Sequence, residues 1–464
     1  MKPKDLDTIS GRLYIVNKEI PDAFFTYEDS IVTIIPNTDE CRAYLYNNTK
    51  QENINEWLNG FTTNGCFISF FRNTNFSHLI TAPITLSTVR FSTQIIIKSQ
   101  NPVSTHQVSF NAIVFKGKTI DLIYPPSLAI QDIFNRQEKK IEISINLNHK
   151  YESNVNINNQ KIKCTYGVDT SHIRYVAGQV IDLNKYIHSY IKFELDNQET
   201  FDSNSILKYY MYAKNLITFC AIAQNTTFDI ILYQKWMIRK GEELIPTYNK
   251  FNVYLEDDYD NYIDEKLTFP KVINLHYLHQ HLPELMTLLN EDNSKPYLEF
   301  LPKTNKYLNQ ILYTDIIDIC TAVDREYARN NFEKNAEDQE QAKVLTKELL
   351  KFIKAYNCNE AVKTKASNIL GSQLQAFSPS LKAKFIALSE KYIKDPVELK
   401  KIKDHVRQLV KLRNDFAHVG FDRSTWNEGT KIYSNIVKLV YHSILSRAGF
   451  TDGDITKITA NLHI

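Results

Sequence analysis

Six residues near the end of the chain, RNDFAH at 413–418, combine side chains that can act on a phosphate. Arg413 supplies a permanent planar cation that holds phosphate oxygens through paired hydrogen bonds. His418 carries an imidazole, the side-chain type that transfers protons near neutral pH, and Asn414 adds a neutral amide. A cation and a proton-transfer group together suit acid–base chemistry at a phosphate. These three residues are therefore a candidate catalytic site.

A predicted helix over 397–420 positions this site. At roughly 100° per residue, with Arg413 at 0°, Asn414 falls near 100° and His418 near 140°. Gly420 is expected to end the helix. The apolar side, between roughly 240° and 320°, is expected to pack into a bundle and consists of Leu409, Leu412, Phe416 and Val419.

Residues 1–255 are predicted to form a β-rich domain. Short runs of Val, Ile, Phe, Tyr and Thr between turn-forming residues are typical of an antiparallel β-sandwich or a barrel-like sheet. A helix capped by Asp202 or Ser203 is predicted near 203–224. The predicted strands are 12–16, 31–35, 65–72, 88–98, 107–116, 140–147, 190–195 and 228–238.

The remainder of the chain has helical periodicity. An acidic stretch at 255–265 marks a boundary, so 256–300 is predicted to be a linker with a connecting helix, and 301–464 an all-α bundle. The fold class expected is therefore α+β with several domains. The predicted helices are 270–290 (interrupted at Pro283), 306–332, 339–357, 360–377, 380–393, 397–420 and 424–449.

Composition excludes several classes of protein. The chain has 464 residues, of which 43% are hydrophobic and 23% charged, and a net charge of +2, so a surface for nucleic acid must be local. Six cysteines without a C-x-x-C pair argue against a zinc ribbon or a disulfide scaffold. Neither a secretory signal nor an apolar run of about 18 residues is visible, so we expect a cytoplasmic protein with no membrane partner.

RNDFAH resembles the R-N-x3-H form of the R-x4-6-H motif of HEPN domains, helical bundles that include many metal-independent endoribonucleases. A β-rich N-terminal domain followed by such a bundle resembles the ApeA group of anti-phage proteins. The resemblance implies that Arg413 and His418 are the catalytic pair and that Asn414 shapes the site. It also implies a homodimer, or a higher assembly of dimers, with a composite active site, because one motif supplies only one histidine. The expected products carry 2′,3′-cyclic phosphate and 5′-OH ends.

The residues around the motif are basic. Between 378 and 418 there are ten Lys or Arg against five Asp or Glu, an excess that suits a phosphate backbone. Lys403, Arg407 and Lys411 are the candidate RNA-binding residues. HEPN toxins that are silenced by nucleotidyltransferases resemble R-x4-H-x-Y, with a tyrosine two residues after the histidine. That position is Gly420 in this chain, so regulation is expected from the β-rich domain instead.

Other patterns are weaker. His276, His279 and His281 lack an acidic partner, and 281 is expected to lie apart from 279 on a helix, so we expect no metal site and no cofactor. Lys116–Thr119 lacks the upstream glycine of a P-loop. His405 is interpreted as a satisfied core histidine. The run Asp324, Arg325 and Glu326 is interpreted as surface ion pairs.

Two functions follow from these patterns. The first is an endoribonuclease of an abortive-infection system that cleaves tRNA or mRNA and is controlled by a phage-derived trigger on the N-terminal domain, with exposed single-stranded loops as suitable substrates. The alternative is a non-catalytic dimeric sensor that recognises a protein or a glycan. The first requires His418 for activity, and the second does not.

Overall fold

The structure is a computed structural model. It describes residues 8–17, 19–47, 56–73, 77–80, 87–100, 109–135, 140–145, 149–157, 160–170, 187–195, 200–240, 243–255, 272–291, 298–302, 313–330, 332, 336–375, 379–418, 426–460 and 462. Two compact units divide the chain, Met1–Asn293 (unit 1) and Ser294–Ile464 (unit 2).

Unit 1 is built on one antiparallel sheet of fourteen strands in the order β13-β14-β15-β10-β17-β18-β8-β5-β4-β1-β2-β3-β7-β6. Two small pairs, β11 with β12 and β9 with β16, lie outside it. The strands are β1 Ile9–Tyr14, β2 Ala23–Glu28, β3 Ile31–Pro36, β4 Glu56–Thr62, β5 Phe67–Arg72, β6 Ser77–Ile80, β7 Ser87–Ser92, β8 Ile95–Ser99, β9 Ser109–Phe110, β10 Ala112–Lys116, β11 Ile130–Asn135, β12 Lys140–Ile145, β13 Lys150–Ile157, β14 Gln160–Thr170, β15 Ile187–Leu195, β16 Phe201–Asp202, β17 Asp229–Lys240 and β18 Glu243–Leu255.

Four helices cover the sheet of unit 1. The first contributes Cys41 and Leu45 to a core formed with strands β1, β2, β3, β4, β5, β7 and β8, where Phe25 and Phe70 meet edge to face. The third packs on the second, the fourth and β10. These helices are α1 Asp39–Asn47, α2 Lys118–Ile123, α3 Ile206–Ala221 and α4 Leu282–Leu289.

Local chemistry explains how α3 and α4 begin. The Asp202 carboxylate accepts a hydrogen bond from the Ser205 amide at 2.8 Å, which caps the 3-10 turn that leads into α3. A 3-10 segment, Leu275–His281, precedes α4, and Pro283 lies in the first turn of α4, where its missing N–H costs nothing.

Unit 2 is helical in all its described elements. Four of its helices pack on one another in the pairs α5–α8, α5–α9, α5–α10, α8–α9, α8–α10 and α9–α10, while α6 pairs with α7 and α11 with α10. The helices are α5 Tyr313–Arg329, α6 Ala336–Ala355, α7 Glu360–Gln375, α8 Leu381–Tyr392, α9 Pro396–His418, α10 Trp426–Arg447 and α11 Asp452–Thr459.

A buried carboxylate connects α5 to α10. Glu326 is only 2% exposed. It accepts hydrogen bonds from Ser443 at 2.5 Å and from Arg447 at 3.2 Å. Asn330, which directly follows α5, donates to Ser443 at 2.9 Å and accepts from Tyr392 of α8. The network connects α5, α8 and α10. The positive charge of Arg447 neutralises the Glu326 carboxylate inside the bundle.

The α+β class predicted from the sequence is confirmed, and several finer predictions need correction. In the described residues the strand order is linear, with β13 and β6 at its two ends, so the sheet is not closed as a barrel-like domain requires. The segment 88–98 is two strands, because Thr93 turns inward to the carbonyls of Phe71 and Ile95 and the chain changes neighbours there.

The linker prediction at 256–300 also changes. Residues 256–271 and 292–297 lie outside the described residues. Between them, α4 packs on β13 and α3 and belongs to unit 1, because its buried Leu282, Leu285 and Met286 need a core.

Replacing the buried carboxylate is expected to destabilise unit 2. Glu326→Ala leaves Arg447 without its partner in a low-dielectric site, which costs roughly 3–5 kcal/mol. Urea unfolding of the full chain, followed by helical circular dichroism, measures this. Glu390→Ala is the matched control, since it breaks an exposed pair with Lys403 worth at most about 1 kcal/mol. Equal losses in the two variants would contradict the structural role of Glu326.

His442 is expected to make unit 2 sensitive to acid. Burial lowers its pKa to about 4 in the folded chain, against about 6.5 in an unfolded one. The unfolded chain therefore binds a proton that the folded chain does not, and stability falls as the pH drops from about 6.5 to 4, by on the order of 3 kcal/mol. In His442→Gln, which keeps a donor for Thr459, the decline in unfolding free energy between these pH values should be shallower. An unchanged decline would exclude His442 as its source.

Candidate functional site

The candidate residues lie on α9, which begins at a cap and continues without a break to His418. The Asp395 carboxylate accepts from the Val397 amide at 3.0 Å, and Pro396 occupies the first helical position. The backbone of Arg413, Asn414 and His418 is helical. The side chains of Asn414 and His418, and the whole of 419–425 including Gly420, lie outside the described residues.

Arg413 continues the packed stripe of α9. Ile402, Val406 and Leu409 are buried and face the bundle. Eleven residues after Ile402, Arg413 returns to within about 20° of the same direction, yet it is exposed. Arg413 is thus exposed, although it lies close in direction to the buried residues of α9. The arginine stands where the core packing of α9 ends, one turn beyond Leu409.

Helix α5 supplies the neighbours of Arg413. Burial raises the pKa of the Cys320 thiol to about 12, while the positive charge of Arg413 acts in the opposite direction and Asp324 adds to the increase. Asp324 is one turn from Cys320 and pairs with Lys384 of α8 at 2.9 Å. The positive charge of Arg413 therefore acts on a buried thiol of α5, the helix that packs against α9. The sequence gives no local signal for this, because Cys320 and Arg413 are more than ninety residues apart along the chain.

The three candidate RNA-binding cations differ in their partners. Lys403 pairs with Glu390 of α8 at 2.6 Å, and Arg407 pairs with Asp404 at 3.0 Å. Lys411 is exposed and, like Arg413, takes part in no ion pair with the described residues. Lys411 and Arg413 are exposed and lie within one turn of each other in the last two turns of α9.

His405 is interpreted from the sequence as a satisfied core histidine: its ring has a partner, but it is not in the core. It is half-buried, and its Nδ1 lies 2.9 Å from the side-chain amide nitrogen of Asn435 on α10. Burial lowers its pKa, and the charge of Lys401 lowers it further. A neutral imidazole bound to α10 holds the middle of α9 in place.

The run at 324–326 does not act as one surface group. Asp324 pairs with Lys384 at 2.9 Å, and Arg325 lies 3.8 Å from Glu299, as surface ion pairs do. Glu326 is instead the buried carboxylate of the bundle, so the prediction was wrong for this residue.

A second group of histidines lies in unit 1. His276 and His279 stack with ring centroids 5.9 Å apart, because residues three apart are eclipsed in a 3-10 helix. Both rings lie against Tyr151 of β13. His149, which the sequence did not single out, joins them and lies 2.7 Å from the Tyr124 hydroxyl. Burial, followed by the charges of His279 and His149, lowers the pKa of His276. The rings form an aromatic cluster within unit 1.

Among the described residues, no group of three or more His, Cys, Asp or Glu is arranged to hold a metal ion. No described helix has the length and apolar character needed to cross a membrane. Comparisons with protein-family models, curated proteins and solved structures find no match. The case for a function therefore depends on the residues of the chain.

The exposure of Arg413 predicts that it contributes little to stability. Arg413→Ala should change the unfolding free energy by no more than about 0.5 kcal/mol. Leu409→Ala, one turn earlier on the same stripe, should cost roughly 2–5 kcal/mol because it leaves a cavity in the core. Thermal and urea unfolding of the two variants make the comparison. If both lose the same stability, Arg413 is a packing residue and loses its place as a candidate for chemistry.

Proposed function

We propose that the chain is a metal-independent endoribonuclease of an anti-phage system, with α9 as its active-site helix. The observation that carries this proposal is the position of Arg413, an exposed cation held at the end of a packed helical stripe. The R-N-x3-H spacing, which resembles HEPN domains, supports it. The proposal extends to RNA as substrate and to control by unit 1.

Arg413 suits the stabilisation of a phosphorane. Its charge is permanent, and its planar guanidinium can hold two phosphate oxygens at once. The backbone of α9 is fixed by Ile402, Val406 and Leu409, so the cation is attached to a rigid support. A preorganised charge of this kind stabilises the transition state without rearranging at the moment of reaction.

His418 is proposed as the proton-transfer residue. It follows Arg413 by about 7.5 Å along the helix axis and by about 140° around it. One chain thus offers one imidazole, whereas 2′-OH attack needs a base and an acid. A two-fold pair of α9 helices supplies two histidines and two arginines to one phosphate, so the active species is proposed to be a dimer. Asn414, between the two residues, is proposed to orient the phosphate.

Cleavage of RNA by the full-length protein in EDTA tests the proposal. Wild-type protein, Arg413→Ala and His418→Ala are compared on total tRNA and on mixed mRNA, with and without a phage lysate. Loss of the cation or of the imidazole should lower the cleavage rate at least 100-fold, and EDTA should have no effect. Arg325→Ala, in a long surface pair with Glu299, is the matched control and should cleave within about two-fold of wild type.

Circular dichroism of each variant shows that it is folded. Cleavage by His418→Ala at the wild-type rate would contradict the mechanism, and so would activity that disappears in EDTA and returns with Mg²⁺. Absence of cleavage in every condition would favour the non-catalytic sensor.

A further inference from the structure

Helices α6 and α7 form a hairpin in unit 2. They pack against each other and are joined by the short turn at 356–359, so they run antiparallel. The side of α6 that faces α7 contains Thr346, Leu350 and Ile353, which are buried or half-buried. The packing of these residues explains why α6 and α7 associate. It does not explain the other apolar residues of the two helices, which lie outside this contact.

A second apolar stripe runs along α6. Leu345, Leu349, Phe352 and Tyr356 recur at intervals of four, three and four residues, and lie about 90° around the helix from the side that faces α7. The rings of Phe352 and Tyr356 are in contact, with centroids 5.7 Å apart. Intervals of this kind are typical of helices that pack at a shallow angle against a partner helix.

Helix α7 repeats the pattern. Its half-buried positions Lys363, Ser367 and Leu370 face α6, while Val362, Ala366 and Ile369 form a stripe about 100° away in the same rotational sense. Since the helices are antiparallel, equal rotation in the same sense places both stripes on the same side of the hairpin. We name this surface the hairpin face, and it consists of Leu345, Leu349, Phe352, Tyr356, Val362, Ala366 and Ile369.

The hairpin face is apolar and accessible. Five of its side chains are between 52% and 63% exposed, namely Leu345, Phe352, Tyr356, Val362 and Ile369. On α6, Lys343, Lys347 and Lys354 lie about 150–190° from the stripe, while Glu348 lies about 70° from it and flanks the face. On α7, Lys365 lies about 60° from its stripe and flanks the face in the same way. An apolar centre with a polar rim is characteristic of protein interfaces.

The area of the face matches a self-association surface. Side chains of this size expose roughly 150–200 Å² when free, so the five together offer on the order of 500 Å² of apolar surface. A stable interface buries about 800 Å² on each partner, of which about 60% is apolar. The hairpin face therefore supplies nearly the whole apolar content of one side of such an interface.

We propose that the hairpin face binds the hairpin face of a second copy of this chain. The two hairpins then form a four-helix bundle, since each provides two adjacent stripes with the spacing of bundle helices. A two-fold axis makes the contact self-complementary, so that no other partner is required. This surface is separate from α9 and does not depend on the proposed nuclease activity.

Sedimentation velocity and light scattering of the full-length protein, from about 1 to 100 µM, test the proposal. Wild type should have at least twice the 54.0 kDa mass of the chain, and more where the proposed pairing of α9 helices forms as well. The double variant Phe352→Glu and Ile369→Glu buries two charges in the apolar centre, should weaken the hairpin contact at least 100-fold and should halve the wild-type mass. Val344→Glu is the matched control, because Val344 is 60% exposed on the same helix but lies about 100° away from the stripe. This control should keep the wild-type mass.

Circular dichroism and thermal melting establish that each variant is folded. A monomeric wild type at 100 µM overturns the proposal, and so does a double variant that keeps the wild-type mass. The catalytic role of Arg413 is read from RNA cleavage, and the hairpin contact from the mass of the double variant, so a failure of one and a failure of the other give different results.

Discussion

The buried carboxylate of Glu326 is the interaction on which the helical unit depends. An ionised group removed from water is stable only when hydrogen bonds and opposite charge replace its hydration. Ser443 and Arg447 of α10 provide both, and Asn330 extends the network to Tyr392 of α8. Because hydrogen bonds are directional, the network defines the relative positions of α5, α8 and α10 more closely than apolar packing alone.

Helix α9 is built on this frame. Ile402, Val406 and Leu409 pack into the bundle, and His405 binds Asn435 of α10. The packing then ends while the helix continues, which leaves Arg413 exposed next to α5. A cation carried by a helix has a better defined position than one on a loop, and chemistry at a phosphate benefits from such precision. The same unit carries an exposed apolar surface on α6 and α7, so the proposed hairpin contact and the proposed chemistry of α9 involve different helices.

Local patterns predicted the positions of most elements, because periodicity and caps are properties of neighbouring residues. The strand at 31–35 and the helix that follows Asp202 are examples. Long-range pairing was not predictable in this way. The apolar run at 88–98 contains two strands with different neighbours, and fourteen strands form one open sheet. Glu326 resembled a surface residue because its partners, Ser443 and Arg447, lie more than one hundred residues away. For the site, Arg413 was found from its spacing to His418, whereas its neighbour Cys320 had no sequence signal.

The chemical ends of the RNA fragments produced in EDTA test the central claim most directly. Attack by the neighbouring 2′-OH, assisted by arginine and histidine, leaves a 2′,3′-cyclic phosphate on one fragment and a 5′-OH on the other. The account predicts these ends, identified by mass spectrometry of a defined oligonucleotide. Fragments with 3′-OH and 5′-phosphate ends would contradict it, because they require attack by an activated water molecule, as metal-dependent nucleases perform it.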